Sequence, residues 1–153
     1  MKSLRVVPIR FVDRNGNPTS PSKEAQSDCI PVVDVVVRSP SNASLEISCQ
    51  ALIDTGADYC VASRRILQAV GAPIRRSVNH KGATGATVTN LHDAVLVIAS
   101  VDGFQIPVGA DLAGQDDAHS HPAYPVILGR GLLRHGSLTL DYPANVFTWT
   151  CLV

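Results

Sequence analysis

Apolar positions along this chain come in short runs, many alternating with polar residues and most closed by glycine, proline, asparagine or aspartate. That pattern predicts strands and turns rather than helices. Val6 to Val12 predicts a first strand, ended by the strong turn sequence Asp13-Arg14-Asn15-Gly16-Asn17-Pro18. Thr19 to Asp28 is polar and predicts a surface loop. Valine-rich Ile30 to Val37 predicts a second strand, Ser39-Pro40-Ser41-Asn42 a turn, and Leu45 to Ile53 a returning third strand. Tyr59 to Ala62 reads as extended. Ser63 is placed to cap a short amphipathic helix over Arg64 to Val70, with Ile66, Leu67 and Val70 inward and Gly71 at its end.

Further on, Val78 to Val88 carries Gly82 and Gly85 and predicts a glycine-tipped hairpin. Leu91 to Val101 and Phe104 to Val108 predict a second hairpin across Asp102-Gly103. Gly114 to Pro125 predicts an exposed loop, Val126-Ile127-Leu128 an apolar run up to Gly129, and Arg130 to His135 one short helix stopped by Gly136. Ser137 to Asp141 and Asn145 to Val153 predict a last hairpin about Tyr142-Pro143-Ala144. The expected class is all-β with one or two short helices.

At 153 residues the chain fits one domain with a core of its own, with residues 1–28 as an N-terminal extension or an extra strand. Its net charge is zero, which leaves no basic field for nucleic acid and no acidic excess for a solvating tail. Little repulsion then opposes self-association. Neither a signal peptide nor a membrane span is predicted. Cys29, Cys49, Cys60 and Cys151 show no C-x-x-C spacing, and reduced, mostly buried thiols in a cytoplasmic setting are expected.

Within this β-rich pattern, Asp54-Thr55-Gly56-Ala57 follows the apolar run Ala51-Leu52-Ile53 and occurs once. A carboxylate at the end of a buried strand, with glycine where the chain turns, suits acid–base chemistry on a water. Read blandly, the same residues make a plain turn. Leu52-Ile53-Asp54-Thr55-Gly56-Ala57-Asp58 resembles the active-site loop of the retropepsins, the single-lobe aspartic proteases of retroviruses. Ile127-Leu128-Gly129-Arg130-Gly131-Leu132-Leu133 resembles the segment leading into that family's C-terminal helix, and Gly82-Ala83-Thr84-Gly85 stands where the family keeps its substrate-covering flap. The similarity covers roughly Ile30 to Val153.

The resemblance implies a closed acid-protease barrel and peptide hydrolysis without cofactor or metal. Two carboxylates held about 3 Å apart cannot both ionise and so share a proton. The ionised one takes a proton from water while the other donates to the peptide carbonyl oxygen. One Asp54 per chain therefore implies a homodimer with the site on its two-fold axis, acting on a peptide or protein substrate. Thr55 matches the threonine that bonds across that axis, and Gly56 leaves room for substrate backbone. Asp58 and Arg130 match an architectural ion pair, whose rupture costs about 3–5 kcal/mol if well desolvated. Ala57 stands where two-lobed enzymes keep a serine that stabilises the ionised pair, so peak activity is expected at mildly acidic to near-neutral pH. The rival reading is a catalytically silent peptide-binding or dimerisation module on the same fold.

Other chemistry is weaker. Asp116, Asp117, His119 and His121 crowd one loop but match no standard zinc or calcium spacing. Cys60, with His80 or His92 as base, reads better as a small buried side chain than as a nucleophile. Thr84 and Thr87 most simply serve strand propensity. Arg64-Arg65 and Arg75-Arg76 read as solvated surface, and Trp149 with Phe147 as packing residues.

Overall fold

The computed structural model describes residues 2–21, 29–82 and 85–153. In chain order the strands are β1 (Leu4–Pro8), β2 (Arg10–Val12), β3 (Pro18–Thr19), β4 (Ile30–Arg38), β5 (Glu46–Ile53) and β6 (Cys60–Ser63). Helix α1 (Arg64–Ala69) is followed by β7 (Ile74–Gly82), β8 (Gly85–Ala99), β9 (Gln105–Gln115) and β10 (Val126–Leu128). Helix α2 (Arg130–Leu133), β11 (Gly136–Asp141) and β12 (Val146–Leu152) complete the chain. Strand dominates over helix, 56% against 7%, so the all-β expectation with two short helices holds.

Two sheets form. One has the order β1-β12-β11; the other runs β3-β2-β4-β5-β10-β6-β9-β8-β7. Strand β4 also pairs with β8 from Val35↔Ile98 to Arg38↔Val95, so pairing returns from β8 to β4. Alternation decides what faces inward. Val33, Val35 and Val37 of β4 are buried while Asp34 between them is exposed, and Leu96 and Ile98 of β8 are fully buried. One cluster of packed side chains runs from Val7 to Cys151. Each fully buried aliphatic residue contributes about 1.5–3 kcal/mol. Trp149 belongs to this core, and its indole N–H donates to Leu133 O at 3.3 Å. Phe147 packs edge-on against Phe11, with ring centroids 4.8 Å apart.

Several boundaries differ from the sequence pattern for identifiable reasons. The strand expected over Val6 to Val12 is two, because the chain changes sheets after Pro8, which has no N–H to donate. Ile9 N instead bonds Phe147 O at 3.1 Å. Val88 and Leu91 do not end and begin separate strands; β8 runs unbroken for 15 residues, pairing with β7 along one stretch and with β9 along the next. Strand β9 likewise extends to Gln115, through residues expected in part to be loop. Thr19, the first residue of the expected loop, belongs to β3, and residues 22–28 of that loop lie outside the described residues. No helix among the described residues is long and apolar enough to cross a membrane.

Candidate active site

Strand β5 delivers Asp54 to the site. It lies parallel to β10, in register from Ala51↔Val126 to Ile53↔Leu128, and Asp54 N extends that pairing by donating to Leu128 O at 3.1 Å. The chain then turns: Ala57 N donates to Asp54 O at 3.3 Å, and Gly56 N donates to the Asp54 carboxylate Oδ1 at 2.8 Å. A Cβ on Gly56 would sit 3.1 Å from that same oxygen. Glycine here keeps the backbone against the carboxylate, a reason additional to the substrate clearance expected of it. Asp54 is half-buried; Thr55 and Gly56 are exposed.

The two motif segments, far apart in the chain, meet in space. Arg130 N donates to Ala57 O at 2.8 Å and Gly131 N to Asp58 O at 3.1 Å. Gly129 is buried at the crossing, where a Cβ would come within 2.7 Å of Ala57 O. The Arg130 guanidinium pairs with the Asp58 carboxylate. Both side chains are more than half exposed in the single chain, 60% and 55%. The desolvation behind the 3–5 kcal/mol expectation is therefore absent here, and an exposed pair contributes about 0–1 kcal/mol.

The glycine hairpin is present, with Gly82 paired to Gly85 and Gly85 at φ +122°, a conformation that favours glycine. Ala83 and Thr84, between these two glycines in the sequence, lie outside the described residues. The base of this hairpin and the Asp58–Cys60 segment border one cleft of about 400 Å3, closed on its other sides by β9, α2 and the residues after α2. Arg75 and Arg76 enter that cleft and share Asp111 of β9, at 3.2 and 3.4 Å. Both side chains stay more than half exposed, in keeping with the solvated surface expected of them. Their partner lies on a non-adjacent strand, so only the sheet order could have located them beside Asp58.

The remaining candidates are engaged elsewhere. Asp116 pairs with Arg64 at 2.7 Å, Asp117 accepts from Arg65 N at 3.3 Å, and the His121 ring stacks on Tyr124 at 3.9 Å. Cys60 is buried against Gly129 O, and burial pushes its thiol above the usual range, away from the nucleophilic thiolate. His92 Nδ1 lies 3.0 Å from Ala72 O. The side chain of His80 is outside the described residues.

This strand, turn and crossed-segment arrangement belongs to a known class of fold. The chain superposes on a retropepsin-like aspartic protease from Rickettsia conorii with a TM-score of 0.56 over 100% of this chain and 96% of that one, at 12% identity. The retroviral protease-like domain of Ddi1 from Leishmania major matches 80% of this chain and 94% of its own, with a TM-score of 0.42 and 16% identity. No protein-family model matches the sequence, and no curated protein does so. The chain thus has the retropepsin-like fold.

Proposed function

We propose that this protein is an aspartic endopeptidase whose catalytic pair is Asp54 from each of two identical chains. The observation that carries the reading is the Asp54 carboxylate, pinned by Gly56 N at 2.8 Å at the end of β5, in a loop clamped by Gly129 and Arg130. With two copies facing, one carboxylate takes a proton from a bound water. The resulting hydroxide attacks the peptide carbonyl carbon as the other carboxylic acid protonates its oxygen. Breakdown of the tetrahedral species returns the protons and releases amine and acid, with no covalent enzyme intermediate.

In this reading Thr55 bonds across the two-fold, Ala57 flanks the dyad, and Asp58 with Arg130 buttresses the loop at the edge of the substrate groove. An extended peptide would lie as a strand against the site, its backbone satisfied by hydrogen bonds and its side chains sorted by alternate pockets. The hairpin carrying Gly82, Ala83, Thr84 and Gly85 would close over it and exclude water. The proposal includes a cytoplasmic setting, with which the thiols of Cys49, Cys60 and Cys151 are consistent.

The test is cleavage of a diverse peptide library by the full chain and by Asp54→Asn. Loss of the dyad should lower the rate by roughly 10²–10⁴-fold or more, the range of acid–base catalysis, with circular dichroism and thermal midpoint unchanged. Undiminished cleavage by Asp54→Asn would remove this mechanism. Specific peptide binding without cleavage by either form would favour the silent module.

A further inference from the structure

The cleft beside Asp58 is walled largely by charge. Arg75 and Arg76 border it from β7, Asp93 and Asp111 from β8 and β9, and Arg134 from the residue after α2. In a regular strand two successive side chains face opposite ways. The β7–β8 pairing shifts register between Ile74 and Arg76, and both guanidiniums reach the one Asp111 carboxylate. Irregularities of this kind re-aim side chains and are common beside functional sites.

The charges do not cancel within the cleft. Asp58 is already matched by Arg130. Asp93 stands directly opposite Asp111 across β8 and β9, where like charges repel, and Arg75 with Arg76 offsets those two acids. Arg134 is left over. It is exposed, and among the described residues it has no ion pair. Arg75 and Arg76 are also far from saturated. Among the described residues each makes one side-chain bond, to Asp111, of the five N–H donors a guanidinium carries.

We infer that this cleft is a specificity subsite for an acidic side chain, Asp or Glu, of the substrate peptide, held between Arg134 and the Arg75–Arg76 pair. A guanidinium presents paired N–H donors that match a carboxylate. An apolar side chain in the same place would strand those donors. Asp58 lies on the loop that Asp54 opens and also borders the cleft. A peptide lying extended over that loop therefore brings its acidic residue here at a fixed number of residues from the bond being cut. For the path of the peptide this rests on the aspartic-protease reading. The charge preference itself can be read without catalysis.

The full chain is given a diverse library of peptides blocked at both ends, and each cut is mapped by mass spectrometry. Asp or Glu should exceed Asn or Gln roughly 3–10-fold at one fixed distance from the cut, the scale of a half-exposed charge pair. The excess should shrink as salt is added. Retention of the same library on immobilised Asp54→Asn gives a reading that needs no cleavage, and acidic members should be enriched over their amide counterparts by a similar factor. Adding Arg134→Gln should erase the preference, and Arg134→Glu should turn it toward Lys and Arg, with circular dichroism unchanged. Arg75→Gln, on the opposite wall, should weaken it independently. No acid preference in either reading, or one that none of the three variants moves, overturns the inference. Acid-selective retention without cleavage keeps the subsite and removes the protease. Cleavage indifferent to acidic residues does the reverse.

Discussion

Gly129 holds the site together by having no side chain. The crossing of the two motif segments needs Ala57 O and the Tyr59 carbonyl to pass against its Cα, leaving no room for a methyl group. Gly129→Ala should therefore cost about 1–3 kcal/mol through overpacking, read as a lower urea midpoint, and should also loosen the Arg130 N–Ala57 O bond that fixes the Asp54 loop. Activity should fall further than stability alone explains. Cys49 makes a different case. Burial first, and the neighbouring Asp34 charge second, push its thiol up to about 12 from 9.0. The folded protein then holds this proton in a window where the unfolded chain has lost it. Stability must fall as pH rises from about 9 toward 12, with no contribution from this group below that window. In Cys49→Ser that slope should be shallower, measured by denaturant melts at stepped pH. At pH 8 the wild-type Cys49 should resist alkylation until the protein unfolds.

Local punctuation was the most legible part of the elements. Ser63 caps α1 as its position suggested, accepting from Ile66 N at 3.3 Å, and Gly71 leaves the helix at φ +64°. The hairpin about Asp102-Gly103 and the last hairpin also follow directly from turn residues. Ser63→Ala should cost about 1 kcal/mol, checked by thermal melts, and no more, because buried Ile66 and Leu67 hold α1 by packing. What the sequence did not disclose depends on partners distant along the chain. Nothing local says that β8 changes partner midway, since its residues read as strand throughout. Nothing local separates β1 from β2 except Pro8, whose effect is visible only once β12 and β4 lie on different sheets. At the candidate site, the motif residues were legible because Asp54, Gly56, Gly129 and Arg130 are constrained by contacts within and between the two motif segments. Arg75, Arg76 and Asp111 were not, because their proximity to Asp58 arises from the order β6-β9-β8-β7.

In the proposed mechanism one chain supplies one Asp54, so the complete catalyst would be an assembly property, and its activity would follow the statistics of pairing. Well below the dimer dissociation constant the concentration of paired chains rises with the square of total protein; well above it, linearly. The initial rate of peptide cleavage should therefore change order from two toward one as the enzyme is concentrated. Mixing supplies a sharper version. Asp54→Asn keeps the fold and the pairing surface but contributes an amide where a shared proton is required, so a mixed pair has one carboxylate and cannot divide acid and base roles. If pairing is indifferent to that change, an equal mixture leaves about one pair in four fully active, and a large excess of the variant silences the wild type. The added variant should thus lower wild-type activity in saturable fashion, with total protein held above the dissociation constant. Strict additivity, with the variant merely diluting an unaffected wild type, would mean that a single chain does the chemistry alone.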